Sequence, residues 1–218
     1  MKIIYLSDFN CPYSYIGLNR ITNACNELDL DVEWDMKAFE LEPNADNFKA
    51  IDRFAIKNGL SIEDATKEIE EMEKIASDDG LTINYKNLII NSSKDAHRLV
   101  MYVQDKYPKA SQELVFKIFE SNFAKNEDIS NHDVLAQIAT YCGLNYEEII
   151  EFLKTSSLDI EVDLDMDEAL SNGITTITYY FIEHDDERLI VPGVFEKESF
   201  KIAIMDLLSG EMKDKTFI

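Results

Sequence analysis

The sequence predicts an α/β fold in which one sheet is interrupted by a bundle of helices, and three observations carry that prediction. Residues 2–41 read as strand, helix, strand. Residues from about 48 to 158 keep a helical period almost without a break. From Ile174 to Leu208 the chain returns to two strands and a helix. The order is therefore βαβ, helices, ββα, with expected boundaries at 1–47, 48–159 and 160–218.

Each element has a local reason. Lys2-Ile-Ile-Tyr-Leu-Ser7 is a β-rich run with no helical period, ended by Asp8-Phe-Asn-Cys-Pro12. From Tyr13, apolar Ile16, Ile21, Ala24, Cys25 and Leu28 recur at helical spacing, and Pro12 suits a first turn, where its missing N–H costs nothing. Val32 to Leu41 alternates as a strand does. Two sequential parallel strands need such a crossover, so the opening is most simply a βαβ unit. In the helical stretch, Ser61 and Gly80 punctuate a stripe of Ala65, Ile69 and Met72; Ser130-Asn-His-Asp133 and Asn145-Tyr-Glu-Glu148 read as N-caps. Ile174–Ile182 and Arg188–Val191 read as strands about a His184–Glu187 turn, before a final helix over Glu196–Leu208. The acidic run Asp163–Glu168 reads as a solvated helix face, and Tyr179-Tyr-Phe181 as sheet core.

Composition narrows the function classes. The 43 acidic residues against 21 basic give a net charge of −22, which argues against nucleic acid as a partner and against an anionic membrane surface. With 45% hydrophobic residues a sizeable core is expected, and the acidity belongs to the surface. Asp8 ends the first apolar run before it could form a signal-peptide core, and no run approaches the roughly 20 residues of a membrane span. Three cysteines give no disulfide framework and agree with a reducing compartment, so a cytoplasmic location is expected.

The segment richest in chemistry is Cys11-Pro12-Tyr13-Ser14, where strand gives way to helix. A thiol at a helix N-terminus faces unpaired N–H groups and the positive end of the dipole, which favour thiolate and lower its pKa. Asp8 nearby would oppose this. Cys11 thus reads either as a nucleophile or as a small buried residue capping a turn. Cys25 lies 14 residues along the same helix, about 21 Å at 1.5 Å per residue, beyond disulfide reach. Cys142 reads as a core residue. His97 reads either as a buried core histidine or as a group able to hold a thiolate or carboxylate. His132 and His184 fall at cap and turn positions and are expected to be exposed. With Cys11 these histidines show no metal-ligand spacing, so no metal is expected.

Asp8-Phe-Asn-Cys-Pro-Tyr-Ser-Tyr-Ile-Gly17 resembles the active-site segment of the DsbA-like, FrnE-type oxidoreductases, whose motif is Cys-Pro-x-Cys followed by an aromatic residue and a glycine. Phe39–Pro43, Asn91-Ser-Ser-Lys-Asp-Ala-His-Arg-Leu99, Phe119–Leu135 and Gly173-Ile-Thr-Thr-Ile-Thr178 resemble further family segments in the right order. The resemblance implies a thioredoxin fold with a helical insertion and a thiol–disulfide oxidoreductase with Cys11 and Ser14 as catalytic positions. It implies that Pro12, Tyr13, His97, Ile177 and Thr178 border the substrate. Two departures matter. Ser14 stands where the resolving cysteine would be, and a hydroxyl cannot take over its attack, so an outside thiol would be needed. Thr178 stands where the family has a cis-proline; because a non-proline cis bond costs about 2.5–4 kcal/mol, a trans Ile177–Thr178 bond is expected.

The same segment also resembles kappa-class glutathione transferases and 2-hydroxychromene-2-carboxylate isomerases, with Cys11 at the place of their catalytic serine. The expected function is a monothiol disulfide oxidoreductase. The alternatives are a kappa-like glutathione transferase or isomerase, and a catalytically degenerate binding or adaptor module. No resident cofactor is expected beyond glutathione as a co-substrate. The expected partners are a disulfide-bearing protein or glutathione, with a homodimer left open.

Overall fold

The computed structural model describes residues 1–43 and 45–210, and these divide into two compact units. One comprises residues 1–39 and the chain from 164 onward; the other comprises residues 40–163. The expected insertion over 48–159 falls within the second.

In the first unit, β1 (Lys2–Ser7), α1 (Pro12–Glu27) and β2 (Glu33–Ala38) form the expected βαβ unit, with β1 and β2 parallel. After the insertion, β5 (Tyr179–His184) and β6 (Glu187–Pro192) add antiparallel strands, giving the order β2-β1-β5-β6, followed by α9 (Lys197–Ser209). Register places Tyr5 opposite both Met36 and Tyr180, and Tyr180 opposite Val191. Directly opposed residues share a face, so these four form one buried row. Tyr180 stacks on Tyr5 at 6.3 Å and meets Phe200 of α9 edge-on at 5.5 Å. The opposite face carries Ile4, Leu6, Phe181 and Ile190, which border a cavity of about 490 Å³ together with Lys37, Arg188 and residues Asp165 to Ile174.

The second unit contains a two-stranded ribbon, β3 (Phe48–Lys49) with β4 (Ile89–Ile90), and the helices α2 (Ala50–Asn58), α3 (Ile62–Asp78), α4 (Lys94–Lys106), α5 (Pro108–Phe123), α6 (His132–Tyr141) and α7 (Tyr146–Leu153). The chain returns to the first unit along α8 (Asp159–Ser171). The cap readings hold at three helices: the side chains of Ser61, Asn131 and Asn145 accept from the backbone N–H groups of Asp64, Asp133 and Glu148.

Four expectations need correction. The strand expected from Ile174 begins only at Tyr179, because residues 174–178 form a loop whose Thr178 carbonyl accepts from the Gly193 N–H at 2.8 Å. The Ile177–Thr178 bond is cis, not trans. The trans expectation considered the bond alone, whereas Thr178 is buried and its carbonyl is bonded to a second loop. Cys142 is half-buried at the α6 C-cap rather than in the core. His132 and His184 are half-buried rather than exposed; His132 Nε2 lies 2.8 Å from an Asp95 carboxylate oxygen.

Candidate active site

The site grows from the turn after β1. Asp8, fully buried, closes it: its carbonyl accepts from the Cys11 N–H at 3.0 Å, and its carboxylate accepts from the Asn10 N–H at 3.2 Å. Cys11 then occupies the N-cap of α1, with Pro12 at the first helical position, where the backbone loses no hydrogen bond. The Ser14 N–H donates to the Cys11 carbonyl at 3.0 Å, and the Ser14 Oγ accepts from the Asp8 N–H at 3.5 Å. Tyr13 points outward, 43% exposed, while Pro12 and Ser14 are buried.

The electrostatics correct the expected low thiol pKa. Burial pushes the Cys11 thiol up from its ordinary value. The Ser14 hydroxyl and the N–H groups of Ser14 and Tyr13 act in the opposite direction, as the helix-end argument expects. The Asp8 charge adds to the upward push. Cys11 is only 7% exposed, and desolvation wins. Burial also pushes Cys25 up to about 12 and Cys142 up to about 11. All three cysteines are free.

The fold brings Thr178 to α1. A Cβ placed on Gly17 would lie 3.5 Å from the Thr178 Oγ1, 3.2 Å from a Val194 methyl and 2.5 Å from the Tyr180 hydroxyl oxygen. Ile177 is half-buried beside it in sequence. His97 is buried on α4 of the second unit. Gly17 and Tyr180 were read only as motif glycine and sheet core. The signal that could have singled out Tyr180 is its spacing: Thr178 and Tyr180, two residues apart at a strand start, share a face. Among the described residues no group of three His, Cys, Asp or Glu side chains could hold a metal ion, and no helix is long and apolar enough to cross a membrane.

A four-stranded mixed sheet with a cysteine at the N-cap of the crossover helix defines a thioredoxin fold. The chain belongs to the DSBA-like thioredoxin domain family, whose model matches residues 2–204. It is 24% identical over 203 residues to the uncharacterized protein YwbO of Bacillus subtilis, covering 92% of this chain and 94% of that one. It is 28% identical over 108 residues to the ClpXP adapter protein SpxH of the same organism, covering 48% of this chain and 36% of that one. Among solved structures, the probable DsbA oxidoreductase SCO1869 from Streptomyces coelicolor superposes with a TM-score of 0.85 at 25% identity, covering 100% of this chain and 94% of that one. The cytosolic disulfide reductase DsbM from Pseudomonas aeruginosa, solved with GSH, has the same fold, with a TM-score of 0.67 at 10% identity over 96% of this chain and 100% of that one.

Proposed function

We propose that the protein is a monothiol disulfide oxidoreductase acting through Cys11. The observation that carries the reading is the N-cap position of Cys11 on α1, with Ser14 and not a second cysteine three residues on. In the first step the Cys11 thiolate attacks one sulfur of a disulfide; a Cys11–S–S–R bond forms and the other half leaves as thiolate. In the second, an external thiolate such as glutathione attacks the bound half, forms its own disulfide with it and returns Cys11 as thiolate. Ser14 steadies the sulfur, and Tyr13, Pro12, Ile177 and Thr178 border the incoming disulfide. A reducing cytoplasm would supply the resolving thiol.

The test is intact-mass analysis after incubation with oxidised glutathione. One glutathione adduct is expected, mapped to Cys11, absent in Cys11→Ala and removed by reduced glutathione. Because burial pushes the thiol up, adduct formation should accelerate as pH rises through and beyond the ordinary thiol pKa of about 8.5, since only the thiolate attacks. No adduct at any pH would overturn the proposal. That outcome would favour a binding or adaptor module without turnover, which the raised thiol pKa and the partial likeness to a ClpXP adapter protein support.

A further inference from the structure

The sheet face turned away from Tyr5 and Tyr180 carries two rows of side chains set by register: Lys37, Leu6 and Tyr179 in one, Ile4, Phe181 and Ile190 in the next. They floor the cavity of about 490 Å³, a volume that suits a small organic molecule. Its other wall is α8, through Asp165, Glu168, Ala169 and Asn172. Their spacing puts these four on one face of the helix. A helix laid on a sheet turns its apolar stripe inward. Here α8 turns two carboxylates and an amide to the cavity and leaves Leu164 and Leu170 exposed. That wall packs poorly on an apolar floor, but it suits a ligand that is apolar at one end and charged at the other.

The charges decide the sign of that ligand. Lys37 Nζ lies 3.7 Å from carboxylate oxygens of both Asp35 and Asp165. Arg188 lies 2.8 Å from Glu183, with its guanidinium 4.8 Å from the centre of the Phe181 ring. Each cation bordering the cavity is therefore already matched, whereas the Glu168 carboxylate has no hydrogen-bond or ion-pair partner among the described residues. An anionic ligand would have to displace Asp165 or Glu183. A cationic one meets a carboxylate without a competitor, and the Tyr179 and Phe181 rings, 5.4 Å apart, add surfaces that attract cations. The net charge of −22 raises the local concentration of cations further. We propose that the cavity between the sheet and α8 is a binding site for a small organic cation, its apolar body over Leu6, Phe181 and Ile190 and its ammonium group at Glu168. The site lies on the sheet face opposite the one where Gly17 of α1 meets the Tyr180 hydroxyl, and it does not depend on the thiol chemistry of Cys11.

The experiment titrates the full chain, labelled for amide NMR, with phenylbutylamine, phenylbutanol and phenylbutyrate at physiological ionic strength. These probes share one apolar body and differ in charge. The amine should shift amides of β1, β5 and α8 around the cavity and bind about tenfold more tightly than the alcohol, with the carboxylate weakest of the three. Glu168→Gln should bring the amine down to the affinity of the alcohol. Asp167→Asn removes a neighbouring exposed carboxylate that does not border the cavity, and it should leave the preference intact. Equal losses in the two variants would reduce the effect to diffuse attraction by an acidic chain and overturn the proposal. An amine that binds no more tightly than the alcohol, or shifts that map away from the cavity, would overturn it as well. Both substituted residues are exposed, and far-UV circular dichroism checks that each variant keeps the fold. The comparison of the three probes on the unmodified chain carries the test by itself if a variant does not.

Discussion

In the helical unit the buried Arg98 is surrounded by acceptors: Asp95, Asp159 and the carbonyls of Thr155 and Ser157, with its guanidinium 5.4 Å from the centre of the Phe152 ring. In the sheet unit the buried hydroxyls of Thr178 and Tyr180 have no hydrogen-bond partner among the described residues. A saturated charge ties α4 to the junction of α7 and α8, whereas two unpartnered hydroxyls tie nothing and are held by packing alone. The difference separates a polar group that stabilises through its partners from polar groups whose burial costs free energy.

Arg98→Met should break this comparison on its stabilising side and give the largest effect. The methionine keeps the apolar stem but takes the guanidinium from two carboxylates and two carbonyls, leaving Asp95 only His132, and removing one partner from a buried ion pair costs about 3 kcal/mol. Urea unfolding measures it. A loss below about 1 kcal/mol would mean that solvent reaches Asp95 and Asp159 well enough to make the arginine dispensable.

Gly17→Ala tests the packing of the other region. A methyl 2.5 Å from the Tyr180 oxygen forces a shift in a ring held on two sides, an overpacking cost of about 1–3 kcal/mol, offset by up to about 1 kcal/mol of helix propensity. A net loss of about 1 kcal/mol is expected. Because the clash is with one oxygen, the Tyr180→Phe background should recover most of it, and the cycle should show coupling near 1 kcal/mol. Additive losses would place the Gly17 constraint elsewhere, for instance at Val194.

The βαβ opening was legible because each of its signals is local: an apolar β-rich run, Pro12 at the first helical position, and alternation in β2. The caps at Ser61, Asn131 and Asn145 were legible for the same reason. What escaped depends on distant partners. Ile174–Thr178 is β-branched throughout and reads as strand, yet its Thr178 carbonyl bonds to Gly193, a residue whose φ of +102° suits glycine. The ribbon of β3 and β4 has two residues per strand, too few to show any period. The Cys11 motif was visible, but the sign of its pKa shift was not, since helix-end hydrogen bonds can be read from Cys-Pro while burial is set by the rest of the fold.

The smallest expected effect compares one carboxylate in each unit. Glu27, at the C-terminal end of α1 where the dipole is unfavourable, is held by Lys197 at 2.5 Å and Lys201 at 2.7 Å, and these ammonium groups lower its pKa from 4.5 to about 2. Glu148 is also lowered, but chiefly by the hydroxyls of Tyr102 and Tyr107, with Lys106 third. A depressed carboxyl pKa stabilises the folded state above the unfolded value, and that contribution disappears as pH falls from about 4.5 towards 2. Against Glu27→Gln, the wild type should therefore hold a small advantage at pH 6 that shrinks to nothing near pH 2, and added salt should erode it, because the partners are exposed charges. Glu148→Gln should show the same pH trend with less dependence on salt, since neutral hydroxyl donors are not screened. Urea unfolding at two pH values and two salt concentrations distinguishes the pair; equal salt sensitivity would assign the Glu148 cluster to Lys106 rather than to its tyrosines.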